Sequence, residues 1–209
     1  LACTFVIAAE DNLAKVLVIG DSISIGYTPH VKDLLEDAAS VTHNQGNAGS
    51  TTRGVEKLES WLGDTKWDLI HFNWGLWDLC YRNPESNEQG NRDKIGGKIT
   101  NSLEQYEENL ERLVCRLEKT GAKLIWATTT VVPEGEAGRF KGDEIKYNKT
   151  AMKVVRKHNI PVNDLHAMTN LFPEQLFKGP GDVHYTKKGY EILARQTALH
   201  IKYQLKLER

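Results

Sequence analysis

With 209 residues, 40% hydrophobic and 26% charged, the chain is large enough for one folded domain with a full core, and its composition excludes a disordered or fibrous protein. The 27 basic and 28 acidic side chains nearly cancel, leaving no broad positive field to hold a phosphate backbone, so nucleic acid is not an expected partner. No stretch reaches the roughly 18 apolar residues that a membrane-spanning helix needs, so no transmembrane segment is expected.

The opening "LACTFVIAAED" runs from apolar to small to acidic residues, as the end of a secretory signal does, with cleavage near Ala8 or Ala9. "LAC" also matches the tail of a lipoprotein box, with Cys3 as a lipid anchor, and a short N-terminal strand is the plain alternative. Residues 1–12 are therefore expected to be the remnant of a signal peptide or lipoprotein signal, which makes the protein secreted or periplasmic. Without Cys3 only Cys80 and Cys115 remain, which is no disulfide framework, and Cys115 in "LERLVCRLE" reads as a small buried hydrophobe.

The folded domain, residues 13–209, alternates continuous apolar runs with amphipathic segments, the pattern of a parallel sheet covered on both faces. "KVLVIG" predicts the first strand. Thr28-Pro29 then reads as a helix N-cap followed by proline at the first helical position, with Val31, Leu34, Leu35 and Ala38 on one face. "VTHNQG" predicts the second strand, a short helix follows around Val55 to Trp61, and "DLIHFNW" predicts a central third strand. The polar "CYRNPESNEQGNRDKIGGK" reads as a long loop. "SLEQ" at 102–105 fits a capping box opening a helix whose stripe is Leu103, Tyr106, Leu110, Leu113 and Leu117, stopped at Gly121. "KLIWATTT" predicts the fourth strand, and a second polar loop, "PEGEAGRFKGDE", leads to a helix from about Ile145 to Lys157. A short strand near "IPVND" and a helix from about Lys187 to Tyr203 close the chain. The expected fold is a three-layer α/β/α sandwich, in which ligands sit beyond the carboxyl ends of the strands.

That rule singles out Ser22, just past the first strand in "GDS". Alone it is a nucleophile or a turn residue. "NQGNAGSTT" after the second strand holds Gly46 and Gly49, which let the backbone turn tightly and expose N–H groups, as an oxyanion site requires. "GDVHYTKKGY" brings His184 to the entry of the last helix. Of the seven histidines it is the best placed as a base for Ser22: His71 lies inside a buried strand, His158 and His200 ride on helices, and His30 follows a helix start. "KIGGKI" is no phosphate loop, since Arg92 and Ile99 occupy the positions of its first glycine and its Ser/Thr; "GNAGSTTRG" lacks dinucleotide-loop spacing, and no HExxH or paired CxxC suggests zinc. No cofactor or metal is expected.

Gly20-Asp21-Ser22-Ile23-Ser24, the Asn44 to Gly49 turn, Gly75-Leu76-Trp77-Asp78 and the Asp182/His184 segment resemble, in order, the four sequence blocks of the SGNH hydrolases, also called the GDSL esterase family. The resemblance spans residues 15–203. It implies a flavodoxin-like five-stranded parallel sheet of order 2-1-3-4-5, Ser22 as nucleophile, His184 as general base, and the N–H groups of Ser22 and Gly49 in the oxyanion hole.

Two positions depart from the family pattern. The usual acid three residues before the histidine is Gly181, and Asp182 stands two before; in an extended segment those two side chains share a face, so either Asp182 or a backbone carbonyl orients the ring. Trp77 replaces the asparagine that supplies an oxyanion amide. Its own indole N–H, Asn47 and Asn73 are the candidate substitutes, Asn47 being equally a turn residue and Asn73 a satisfied buried amide. Trp74 and Trp77 form either a sugar platform or part of the core. The expected partner is a small-molecule or polysaccharide ester, with O-acetyl groups on carbohydrate the preferred substrate class. A thioesterase or lysophospholipase of the same family and a catalytically weakened carbohydrate-binding protein are the alternatives.

Overall fold

The structure, a computed structural model, describes residues 13–207; the segment 1–12, with Cys3 and the expected signal remnant, lies outside the described residues. Its central strand is β1 (Ala14–Ile19), in which Val16 to Ile19 are at most 1% exposed because both faces of the sheet are covered. β1 pairs in parallel with β2 (Ala39–His43) on one side and β3 (Leu69–Phe72) on the other, with Val16 opposite both Val41 and Leu69. A hairpin of two-residue strands, β4 (Tyr81–Arg82) and β5 (Lys98–Ile99), stands apart from this sheet. β6 (Lys123–Ala127) and β7 (Val162–Asn163) complete the order β2-β1-β3-β6-β7, which is the expected 2-1-3-4-5 once the hairpin is set aside.

Two groups of helices flank the sheet. α1 (Ser22–Leu35) packs against α6 (Lys187–Leu205), while α2 (Thr51–Leu62), α3 (Leu103–Glu118) and α4 (Asp143–Lys157) lie side by side; α5 (Leu165–Thr169) is a single turn after β7. α3 shows how sequence becomes packing: Ser102 Oγ accepts from the Gln105 N–H, and Tyr106, Leu110, Leu113 and Leu117 are buried at helical spacing. Each such aliphatic side chain contributes about 1.5–3 kcal/mol. Leu103, at the start of the stripe, is only half-buried. Among the described residues no helix is long and apolar enough to cross a membrane.

Several expectations are corrected. The first helix starts at Ser22, not at Pro29, because Asp21 is an effective cap: its carboxylate accepts from the Ile23 N–H at 2.9 Å. Pro29 lies inside the helix, where it cannot donate to the Ile25 carbonyl; one turn earlier the Thr28 hydroxyl donates to the Ser24 carbonyl at 2.6 Å. The long loop after β3 contains the β4–β5 hairpin, and α2 and α4 begin four and two residues before their expected starts. Cys115 is half-buried, whereas Cys80 is fully buried; both are free. At the sheet's carboxyl end the N–H groups of Asn44, Asn73 and Thr128 still donate to Val18, Ile19 and Asn163 on the neighbouring strands, which ties the strand exits together.

Candidate active site

With Asp21 as cap, Ser22 is the first residue of α1. Its N–H lies outside the helical ladder there, at the positive end of the helix dipole. Gly20 permits the tight exit from β1: a Cβ there would lie 2.6 Å from Ser24 Oγ. The turn is also locked from outside, since the Gly20 N–H donates to Asn44 Oδ1 and the Gly20 carbonyl accepts from the Ala48 N–H, both at 2.9 Å.

From the far end of the chain, the segment before α6 brings His184 over the same strand exit. Its Nε2 is 2.8 Å from Ser22 Oγ across a separation of 162 residues, and its Nδ1 is 2.6 Å from Asp182 Oδ1. The His184 N–H also donates to Asp182 Oδ1 at 2.9 Å, and the His184 carbonyl accepts from the Lys178 N–H at 2.9 Å, so the residue is fixed by backbone as well as ring. Partial burial alone would raise the Asp182 carboxyl, but the two hydrogen bonds from His184 and its nearby charge hold it below the ordinary carboxylate value. With Asp182 ionised, Nδ1 carries the proton and Nε2 is free to accept the one on Ser22. Beneath them, burial pushes the Asp21 carboxyl up against the opposing effect of its Ile23 bond and of Arg139 and His184.

The proposed oxyanion donors are arranged less simply. Gly49 has φ +64°, as the expected tight turn requires, but its N–H donates to Asn47 Oδ1 at 2.8 Å. Asn47 is thus a turn residue whose carboxamide oxygen sits on the Gly49 N–H. Asn73 does not face Ser22 with its amide: Nδ2 donates to the Ala127 carbonyl at 2.7 Å and approaches Thr129 Oγ1 at 3.4 Å, tying β3 to the end of β6. In this arrangement Asn73 matches the alternative of a satisfied amide, with both amide hydrogens directed to acceptors at and just past the end of β6. Trp77 is half-buried, with the Arg82 guanidinium 4.5 Å from its ring centroid, so one ring face is covered by the β4–β5 hairpin. Trp74 is fully buried, packs on Phe72 and belongs to the core.

The other member of the third block, Asp78, is structural. Its carboxylate accepts from Thr51 N–H (2.9 Å) and Thr51 Oγ1 (2.5 Å) at the start of α2 and from Asn101 Nδ2 (2.7 Å) just before α3, and burial raises its pKa to about 6. Two further features have weak sequence signals. Arg139, only 5% exposed, donates through Nε to the Leu76 carbonyl at 2.6 Å and through Nη1 to buried Glu136 at 2.7 Å; Arg92 holds the same Glu136 oxygen at 2.9 Å. Their only trace in the sequence is charge inside a glycine-rich loop. His43, passed over among the seven histidines, lies 2.7 Å from Ser24 Oγ, while burial lowers its pKa. His71 is excluded as a base, being fully buried in β3 with its pKa lowered to about 3 by desolvation.

A family model, the GDSL-like lipase/acylhydrolase family, matches residues 18–192, most of the chain and all four blocks. The chain belongs to that family. Its acylhydrolase fold recurs in solved structures at low identity. A lipase/acylhydrolase from Enterococcus faecalis is 21% identical, with 92% of this chain and 97% of that one covered and a TM-score of 0.74. An acetylxylan esterase from Geobacillus stearothermophilus is 21% identical, covering 90% and 94% with a TM-score of 0.71. A second acetyl xylan esterase is 16% identical, covering 90% and 99% with a TM-score of 0.72. No curated protein matches the chain.

Proposed function

We propose that this acylhydrolase removes short acyl groups, acetyl foremost, from carbohydrate through an acyl-enzyme on Ser22. The observation that carries the proposal is the chain of contacts Asp182–His184–Ser22, at 2.6 and 2.8 Å. A serine hydroxyl is a weak nucleophile at neutral pH, and His184 Nε2 is within reach to take its proton during attack on the ester carbonyl. Asp182 keeps the ring in the accepting tautomer and stabilises the imidazolium that forms. The carbonyl oxygen, now an oxyanion, takes the Ser22 N–H and the Gly49 N–H once Asn47 has turned away, each donor contributing on the order of 3 kcal/mol. Collapse expels the sugar alkoxide, which takes the proton from His184; a water deprotonated by the same nitrogen then releases the acid and restores Ser22.

A short acyl group is supported by the segment after β3, a polar hairpin rather than an apolar lid: Arg82 lies on Trp77, and Asn83 donates to Asp93. Carbohydrate is supported by the similarity in fold to two acetylxylan esterases. A second reading, a carbohydrate-binding protein with weakened catalysis, is favoured by one specific observation, that the Gly49 N–H already has an acceptor. A fluorophosphonate probe separates the two. Labelling that vanishes in Ser22→Ala and weakens in His184→Ala supports the esterase, and absence of labelling with intact glycan affinity supports the binder. Initial rates on acetylated xylan, pectin and short p-nitrophenyl esters then rank the substrates.

A further inference from the structure

A cleft of about 640 Å³ opens at the same end of the sheet, outside the Ser22 site. One wall is the start of the loop after β6, Val131 to Glu134; the other is the segment from Thr169 to Gly181 that leads to His184. The two walls meet where Gly135 and Gly181 touch backbone to backbone. A Cβ on Gly181 would fall 2.8 Å from the Gly135 carbonyl oxygen, and Gly181 itself holds φ +68°. Asp182 is the next residue, so whatever occupies the cleft ends one residue from the group that orients His184.

The chemistry of the lining is mixed. Phe172 and Phe177 are half-buried, steadied from behind by Tyr185, whose ring centroid is 5.6 Å from one and 5.1 Å from the other. Around them stand the exposed side chains of Asn170 and Gln175, with Glu134, Glu174 and Lys141 at the rim. Aromatic faces beside a few directional polar groups suit a ligand that is apolar on its ring faces and hydroxylated at its edges. A lipid chain leaves the amides unused. The rim carries two carboxylates to one ammonium, which disfavours a polyanion.

We propose that this cleft binds the neutral sugar chain bearing the ester, with the acylated ring passing over the Gly135–Gly181 seam to reach Ser22. The assignment rests on the carbohydrate esterase function proposed above. It distinguishes neutral acetylated polysaccharide, such as xylan, from acidic polymers such as pectin.

The test compares wild type with Asn170→Ala, Gln175→Ala and the double variant, whose side chains are exposed. Four substrates are used: a six-sugar acetylated xylo-oligosaccharide, acetylated polygalacturonate, p-nitrophenyl acetate and p-nitrophenyl octanoate. In wild type the xylo-oligosaccharide is expected to exceed polygalacturonate in kcat/KM. In the double variant the ratio of kcat/KM for xylo-oligosaccharide to that for p-nitrophenyl acetate falls at least about tenfold, the loss expected for one to two hydrogen bonds, and the loss appears in KM. An unchanged ratio, a preference for polygalacturonate, or a loss confined to the octanoate overturns the cleft assignment. Failure of wild type to turn over p-nitrophenyl acetate overturns the esterase itself, so the two failures are distinct.

Discussion

Asp182 and His184 are joined twice: Oδ1 of the aspartate accepts both the ring N–H of the histidine at 2.6 Å and its backbone N–H at 2.9 Å. An acid placed two residues before the histidine, instead of three, therefore still reaches Nδ1, because its carboxylate folds over the backbone N–H two residues on, as an Asx turn does, and meets the ring there. If Asp182 sets the tautomer, Asp182→Asn should leave the fold intact and lower kcat by about 10⁴. Stopped-flow rates on p-nitrophenyl acetate with a thermal melt alongside check this. An unchanged kcat assigns the orienting role to another group.

Asn47 Oδ1 lies where a substrate oxygen would meet the Gly49 N–H. Breaking that bond costs about 0.5–1.5 kcal/mol, so Asn47→Ala should raise kcat/KM for small esters about fivefold. A fall in rate would mean that Asn47 supports the turn or donates to the oxyanion. Either result is read by steady-state kinetics on p-nitrophenyl acetate.

Glu136 is fully buried and holds both Arg92 and Arg139, the latter anchored to the Leu76 carbonyl beside Trp77. Glu136→Gln leaves the buried Arg139 guanidinium without its counter-charge and Arg92 with only its 3.8 Å contact to exposed Glu88. The expected loss is about 3–5 kcal/mol, seen as a lower urea midpoint. Little change would show that solvent reaches the pair.

Asp78 gives a pH dependence of defined sign. Burial raises its carboxyl from 3.8 to about 6, so between these values the folded state binds more protons than the unfolded. Its contribution makes the protein less stable as pH rises through that window, by on the order of 3 kcal/mol in total. Asp182 acts oppositely and lower: its carboxyl is depressed, so its contribution is present above the ordinary carboxylate value and lost as pH falls through the folded one. Urea unfolding at pH 4.5 and 7 should show a flatter profile in Asp78→Asn than in wild type. Identical profiles would show that the carboxyl is not perturbed.

Most of the fold was legible because the relevant forces are local in sequence. The apolar run Val16 to Ile19, short, rich in β-branched residues and ended by Gly20, reads as a doubly covered strand, and the spacing of Tyr106, Leu110, Leu113 and Leu117 reads as one face of a helix. The start of α1 was misplaced since proline at a first turn is a statistical signal, while the Asp21 carboxylate bonding the Ile23 N–H is a direct one. The hairpin strands β4 and β5 were missed because two residues carry no periodicity.

The residue types of the site were also fixed locally: a serine at a strand exit, a histidine at a helix entry, glycine at a positive-φ turn. Even the Asn47–Gly49 bond is a local turn that the sequence contains. Only tertiary structure could decide the partners. Ser22 and His184 are 162 residues apart, Arg139 and Leu76 are 63, and Asn73 and Ala127 are 54. No periodicity reports such distances, because the ends of parallel strands are brought together by the order in which the whole sheet is assembled.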